Sequence, residues 1–207
     1  LVVREQGVGD EILYGSMYGD LLKNVENITI ECDSRLLSLF KRSFPENSNN
    51  FVELGSISNE DLKLEKIDYV LYAGSLGKYY RRNLKNFTHA PYLKINEKKY
   101  EEMQNKLIKY KNKNNIGISW KSFNNRYSSD KSLDLDNFKD IFELPNCNVF
   151  NLQYGEVLDE INEFNNRKNK LISIEGLDLY NDFEGIASLL KSLDIFITIS
   201  NSTAHLA

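Results

Sequence analysis

Short apolar runs alternate along this chain with polar segments whose apolar residues recur every three or four positions. Leu1 to Arg4, Ile28 to Cys32, Phe51 to Leu54 and Tyr69 to Tyr72 read as strands, being brief, apolar and bounded by polar clusters. Asp10 to Lys23 reads as a helix with Ile12, Leu13, Met17 and Leu21 on one face. Asp33 or Ser34 caps a second helix, which carries Leu36, Leu37, Leu39 and Phe40 and stops at Pro45. The segment His89-Ala90-Pro91-Tyr92-Leu93 breaks the rhythm. A lysine-rich helix from Glu97 to Lys113 follows, with few apolar anchors (Tyr100, Met103, Leu107, Ile108), and reads as a surface connector that ends in a linker, Lys111 to Asn115.

The alternation then restarts. Ile116 to Trp120, Val149 to Leu152, Leu171 to Ile174 and Ile195 to Ile199 are the predicted strands, the last of them buried. Leu135 to Leu144, Val157 to Phe164 and a helix capped by Asp182 and running to Leu193 are the predicted helices. Strand–helix alternation is the signature of a parallel sheet with crossover helices, the α/β class. Because it runs twice, two Rossmann-like lobes are expected, residues 1–95 and 116–207, joined by a connector over residues 96–115.

Composition narrows the function classes. With 207 residues, 41% hydrophobic and 27% charged, the chain is long enough for a real core and ordinary for a globular protein. A net charge of −4 argues against a general nucleic-acid binder. No apolar stretch approaches a membrane span and no signal peptide is evident, so a cytoplasmic location is expected. Cys32 and Cys147 lie far apart without metal-type spacing, which favours reduced, structural thiols. The sequence opens inside a predicted strand and stops within the first turn of a predicted helix, so it reads as a fragment.

Four segments could carry chemistry. In Gly7-Val8-Gly9-Asp10, glycines allow positive φ or close approach to a ligand, while Asp10 is either a helix N-cap or a general base. Ile12 stands where the third glycine of a dinucleotide fingerprint belongs, which disfavours a nicotinamide enzyme. Lys121-Ser122-Phe123-Asn124-Asn125-Arg126 leaves a strand, and with Lys131 forms either an anion site or a solvated loop. Without a phosphate-loop pattern, ATPase chemistry is unsupported. Asn151-Leu152-Gln153-Tyr154-Gly155-Glu156 offers amides and a carboxylate for a base or ribose, or is a polar turn. Finally, Asn201-Ser202-Thr203-Ala204-His205 opens a helix at a strand end, a position suited to phosphate; Ser202 or Thr203 as a simple cap is the structural alternative. His89 is read as structural.

Taken in order, Glu5-Gln6-Gly7-Val8-Gly9-Asp10, Ile116-Gly117-Ile118-Ser119-Trp120-Lys121-Ser122, Lys131-Ser132-Leu133, Asn151-Leu152-Gln153-Tyr154-Gly155 and Asn201-Ser202-Thr203-Ala204-His205-Leu206-Ala207 resemble the heptosyltransferase-like glycosyltransferases, above all the bacterial branch found behind tetratricopeptide repeats. The resemblance implies a GT-B-like fold, two Rossmann-like lobes whose parallel sheets face a cleft. It further implies a metal-independent, inverting transfer of a sugar from a nucleotide-diphosphate donor to a glycan or protein hydroxyl. No cofactor beyond the nucleotide-sugar is implied.

On this likeness Asp10 is the base, with Gly7 and Gly9 giving close backbone approach. Lys121, Ser122, Arg126, Gln153, Glu156, Asn201, Ser202, Thr203 and His205 contact the donor. Family members carry an acidic residue and a Thr where this chain has Ser200-Asn201, so the donor sugar is left open. The acceptor, peripheral membrane association and upstream tetratricopeptide repeats stay open as well. Two rival readings use the same architecture: a nucleotide-sugar 2-epimerase, and a non-catalytic module that binds a sugar nucleotide or a protein.

Overall fold

The computed structural model describes residues 1–57, 60, 67–87, 90–123, 131–167 and 170–207. The chain divides into two compact units, Leu1–Ile95 and Asn96–Ala207. In the first, β1 (Val2–Val3), β2 (Ile30–Cys32), β3 (Phe51–Glu53) and β4 (Leu71–Tyr72) form a parallel sheet in the order β3-β2-β1-β4. In the second, β5 (Asn114–Ser119), β6 (Cys147–Asn151), β7 (Leu171–Ile172) and β8 (Ile195–Thr198) are also parallel, in the order β7-β6-β5-β8. The two orders are the same. Each chain half starts in the middle of its sheet, steps outward twice, then crosses back to the other side. That reversal is the topological switch of a doubly wound sheet, where the loops leaving the first and fourth strands diverge and open a crevice at the carboxyl ends.

Helices provide the crossovers that parallel pairing requires. In the first unit α1 (Val8–Gly15) and α2 (Tyr18–Asn24) link β1 to β2, α3 (Ser34–Ser43) leads towards β3, and α4 (Gly77–Tyr80) follows β4. Asp33 caps α3 by accepting the N–H of Arg35, as its sequence position suggests. The single helix expected from Asp10 to Lys23 is instead two. It breaks at Ser16, whose hydroxyl donates to the carbonyl of Leu13, and the freed Ser16 carbonyl accepts from Arg81. The core holds Ile12, Tyr18, Ile30, Leu36, Phe40 and Phe51, with Tyr18, Phe40 and Phe51 in mutual ring contact. Leu13, expected on the buried face, is half-exposed; the charged Glu11 is fully buried in its stead. Cys32 is a core thiol pushed up to about 12 by burial, fitting a structural role.

The second unit begins with α5 (Glu97–Leu107), the helix expected as a connector. Lys99 Nζ lies 2.6 Å from Asp182 Oδ1, and Gln104 donates to Ser192, so α5 is fastened along α8 (Phe183–Lys191) with Met103 and Leu107 buried. Likewise the expected linker is partly strand, since β5 starts at Asn114. Short turns of 3-10 helix over Leu135–Phe138 lead into α6 (Lys139–Phe142), and α7 (Leu158–Asn166) joins β6 to β7. α9 (Ser202–Leu206) follows β8. Ile116, Ile118, Trp120, Val149, Ile161 and Phe164 make the core. β8 differs from expectation: it lies at the sheet edge, and Ile195 and Ile197 are exposed rather than buried.

Candidate functional site

Both units place their chemistry-bearing segments at the carboxyl edge of the sheet, on either side of the topological switch. In the first unit the loop after β1 carries Arg4 to Gly7 and delivers α1. Its N-cap is Gly7, which offers no side-chain cap, and Asp10 falls in the first turn rather than at the cap position. Asp10 is therefore not the helix cap; its carboxylate folds back so that Oδ2 lies 3.4 Å from where a Cβ on Gly7 would stand. Nor do the two glycines take positive φ: Gly7 is extended at φ −138 and Gly9 is helical. The loop is tied across the switch, because Glu5 Oε1 accepts the N–H of Gly74, in the turn after β4, at 2.8 Å.

Beneath Asp10 lies a charged cluster that the hydrophobic pattern did not reveal. Glu11 Oε2 accepts the N–H of Asp33 at 2.8 Å, and Glu11 Oε1 sits 2.9 Å from Arg4 Nε. This ion pair lacks an aligned hydrogen bond, since the same Arg4 N–H is directed at the Glu5 carbonyl. Arg4 also reaches Asp33, which Arg35 holds in a two-pronged contact at 2.8 and 2.9 Å. The Arg35 guanidinium, foremost, holds the Asp33 carboxyl below its ordinary range. Asp33 stands at the end of β2, where a dinucleotide enzyme presents an acid to ribose, but here it is spent on two arginines and a cap. Burial pushes Glu11 up to about 7 against the pull of the Asp33 N–H and Arg4.

In the second unit Gln153 is the hub. Its Oε1 accepts from Ser119 Oγ (3.1 Å), the N–H of Trp120 (2.7 Å) and the N–H of Lys121 (2.6 Å), while Nε2 donates to the carbonyls of Lys121 and Tyr154. At 1% exposure the side chain is wholly engaged inside the protein. Asn201 joins the same network across the switch, donating to Ser119 Oγ at 2.7 Å. Its Oδ1 accepts from the N–H of Ala204, so Asn201, rather than Ser202 or Thr203, caps α9. Thr203 is buried, Ser202 half-buried and His205 exposed.

Lys121 has a partner that sequence reading missed. Glu160, on α7, takes Lys121 Nζ at 2.6 Å, the indole N–H of Trp120 at 3.2 Å and the N–H of Leu135. The segment Lys131-Ser132-Leu133 folds back onto this loop, through Ser122 N–H to Ser132 Oγ and Leu133 N–H to the Trp120 carbonyl. Glu156 is exposed on the neighbouring turn. Arg126 and His89 lie outside the described residues. Sequence-predicted Lys121, Ser122, Gln153 and Asn201 are thus gathered at one edge, whereas His205 reaches them only through its backbone N–H, which donates to the Asn201 carbonyl, and no side-chain hydrogen bond or ion pair links Glu156 or His205 to them among the described residues.

Beside this network a cleft of about 390 Å³ opens between the loops after β6 and β7, lined by Asn151, Tyr154, Val157, Ser173, Leu177 and Tyr180 among others. Gly155 forms its lip with φ +88, and the Phe123 ring lies so close that a Cβ there would be 2.4 Å from it. A larger hollow of about 480 Å³ lies at the amino ends of the strands, against Lys111, Asn114, Asn146 and Asp194. Ligands of open α/β sheets bind at the carboxyl ends, so the smaller cleft is the candidate. Among the described residues no cluster of three or more His, Cys, Asp or Glu side chains could hold a metal ion, and no helix is long and apolar enough to cross a membrane.

Comparison with known proteins places this architecture. No protein-family model matches the chain. Protein FlbA of Caulobacter vibrioides is 23% identical over an alignment of 222 residues that covers all of this chain, which spans 37% of that protein's length. The solved structure of E. coli ADP-heptose lps heptosyltransferase II superposes with a TM-score of 0.63 at 11% identity, covering 100% of this chain and 80% of the other. The chain thus has the α/β GT-B fold of the heptosyltransferase type.

Proposed function

We propose that this chain is the two-lobed core of a glycosyltransferase that moves a sugar from a nucleotide-diphosphate donor to a hydroxyl of a glycan or protein, with inversion and without a metal. The observation that carries the reading is the likeness in fold to a heptosyltransferase over the whole chain. The build of the switch-point edges supports it: each is polar and tied across the diverging strands by a hydrogen bond. In this reading the first unit presents the acceptor and the second holds the donor.

Asp10 takes the proton of the acceptor hydroxyl as that oxygen attacks the anomeric carbon. The bond from that carbon to the diphosphate breaks, and its electron pair leaves with the nucleoside diphosphate. Attack from the face opposite the leaving group inverts the centre. Charge growing on the diphosphate is met by Lys121, by Arg126 and by the turn from Ser202 to His205. Lys121 is neutralised by Glu160, so a diphosphate must compete with that carboxylate. The aromatic-edged cleft at Tyr154 and Tyr180 suits the base. Gln153 and Asn201 act in this scheme by shaping the edge rather than by touching the donor.

One observation favours the non-catalytic reading: Lys121, Gln153 and Asn201 are all occupied within the protein. A single assay separates the readings. The chain is mixed with a panel of nucleoside-diphosphate sugars that includes ADP-heptose, and nucleoside-diphosphate release is followed with and without glycan and protein acceptors. A transferase releases it only with acceptor, an epimerase releases little in either case, and a binding module releases none. Asp10→Asn is expected to lower acceptor-dependent release by about 10²–10⁴. Its melting temperature should be unchanged, because the Asp10 side chain makes no cap bond. Full release by Asp10→Asn removes Asp10 as the base.

A further inference from the structure

We propose that Glu11 is a positioning residue, whose buried carboxylate couples the turn bearing Asp10 to the ends of β1 and β2 and so fixes where Asp10 points. The inference rests on the reading of Asp10 as the base. Glu11 follows Asp10 directly in the first turn of α1, so a rotation of one residue turns the other. Its two oxygens reach in different directions: Oε2 takes the Asp33 N–H at the end of β2, and Oε1 faces Arg4 at the end of β1. A fully buried carboxylate is costly to keep in a core. A leucine in this place would pack the same sheet with less penalty, so the charge serves placement better than stability.

The groups around Glu11 come from every element packed against it. Arg4 approaches from the loop after β1, Cys32 from β2, Asp33 and Arg35 from the start of α3, and Tyr18 from α2. Burial opposes the ionised form most strongly and the Asp33 carboxylate adds to it, while the Asp33 N–H, Arg4 and Arg35 favour it. Among the described residues the phenol of buried Tyr18 has no hydrogen-bond partner, nor does Glu11 Oε1. Ionised, Glu11 holds Arg4 by charge. Protonated, it keeps the Asp33 N–H through one oxygen but releases its grip on Arg4, so that the loop leading into Asp10 keeps the Arg4–Asp33 contact and the Glu5–Gly74 hydrogen bond and loses its third anchor. With the carboxyl pushed up to about 7, this exchange falls near neutrality.

Glu11→Gln reproduces the protonated form, since the amide oxygen still accepts from Asp33 but the side chain carries no charge. The first test is ¹H–¹⁵N NMR of the whole chain from acid to alkaline pH. The amides of Gly7, Gly9, Asp10 and Asp33 should titrate together with a midpoint near 7 in the wild type and in Asp10→Asn, and not in Glu11→Gln. The second is the nucleoside-diphosphate release assay. Turnover by Glu11→Gln should fall towards the ~10²-fold that about an ångström of misplacement costs, with the donor KM unchanged. Arg4→Gln should give the same loss, and the double variant no greater one. If the amides of Gly7 to Asp10 do not titrate in the wild type, or if Glu11→Gln keeps wild-type turnover, the proposal falls. If Asp10→Asn is fully active while the amide titration persists, the reading of Asp10 has failed and the coupling has not.

Discussion

Replacing Gln153 with Leu should unfold the second unit far more readily than its place in a ligand-facing loop suggests. Leucine fills much the same volume but offers no acceptor, so the N–H groups of Trp120 and Lys121 lose theirs, at 2.7 and 2.6 Å. The Trp120 N–H has no route to water, because that residue is fully buried. At about 1–3 kcal/mol for each stranded donor, the pair amounts to about 4 kcal/mol, with the Ser119 hydroxyl adding to the loss. Set against a typical total of about 5–15 kcal/mol, this is a large fraction. The chain has one tryptophan, Trp120, and it reports from the centre of the perturbation. Urea unfolding followed by its fluorescence should show the loss directly, and nucleotide affinity measured where the variant is still folded should be reduced only modestly. A Gln153→Leu protein within 1 kcal/mol of wild type but unable to bind nucleotide would refute the argument and return Gln153 to the donor contacts.

Two further outcomes are expected. Gly155→Ala places a Cβ at φ +88 and 2.4 Å from the Phe123 ring; the half-exposed ring can swing away but the backbone cannot, so a loss of about 1–3 kcal/mol is expected in the same fluorescence assay. Equal stability would mean that the turn relaxes to another conformation. Glu11 has an ordinary value of 4.5 and stands at about 7 when folded, so the folded chain binds its proton more tightly. Its contribution to stability is complete below 4.5 and is lost as pH rises through about 7, by about 3 kcal/mol at 1.36 kcal/mol per unit. Unfolding of the first unit should therefore show Glu11→Gln gaining about 3 kcal/mol on wild type between about pH 4 and about pH 8; a pH-independent difference would contradict the burial argument.

The alternation of the sequence was enough to read the architecture, because parallel strands buried on both faces leave dense apolar runs. Ile116 to Trp120 and Val149 to Leu152 are clear for that reason, and Asp33 and Asp182 announce their helices because a cap is a local device. What escaped was long-range and charged. Glu11 lies on an apolar face, and nothing adjacent in sequence says that Arg4 and the Asp33 N–H will meet it. Glu160 lies 39 residues beyond Lys121, past α6 and β6, and only the crossover brings the two together. Gln153 looked like a donor contact because its residue type and position suit one equally well. The edge strand β8 was misread because Ile195 to Ile199 is as apolar as a central strand, and the pattern does not say how many neighbours a strand will have.

The shared strand order also sets a sequence of events in synthesis. Among the described strands of each unit, the first made is a central one, yet one of its neighbours is the latest made: Val2 pairs with Leu71, and Ile116 with Ile195. At about 5–20 residues per second a ribosome needs several seconds to deliver that later strand. Until then the central strand has one open side, and the loops that will flank the switch point have nothing to close against. The crevice beside the switch point consequently takes shape only after that later strand has paired, well after the central strand and its first neighbour have been made.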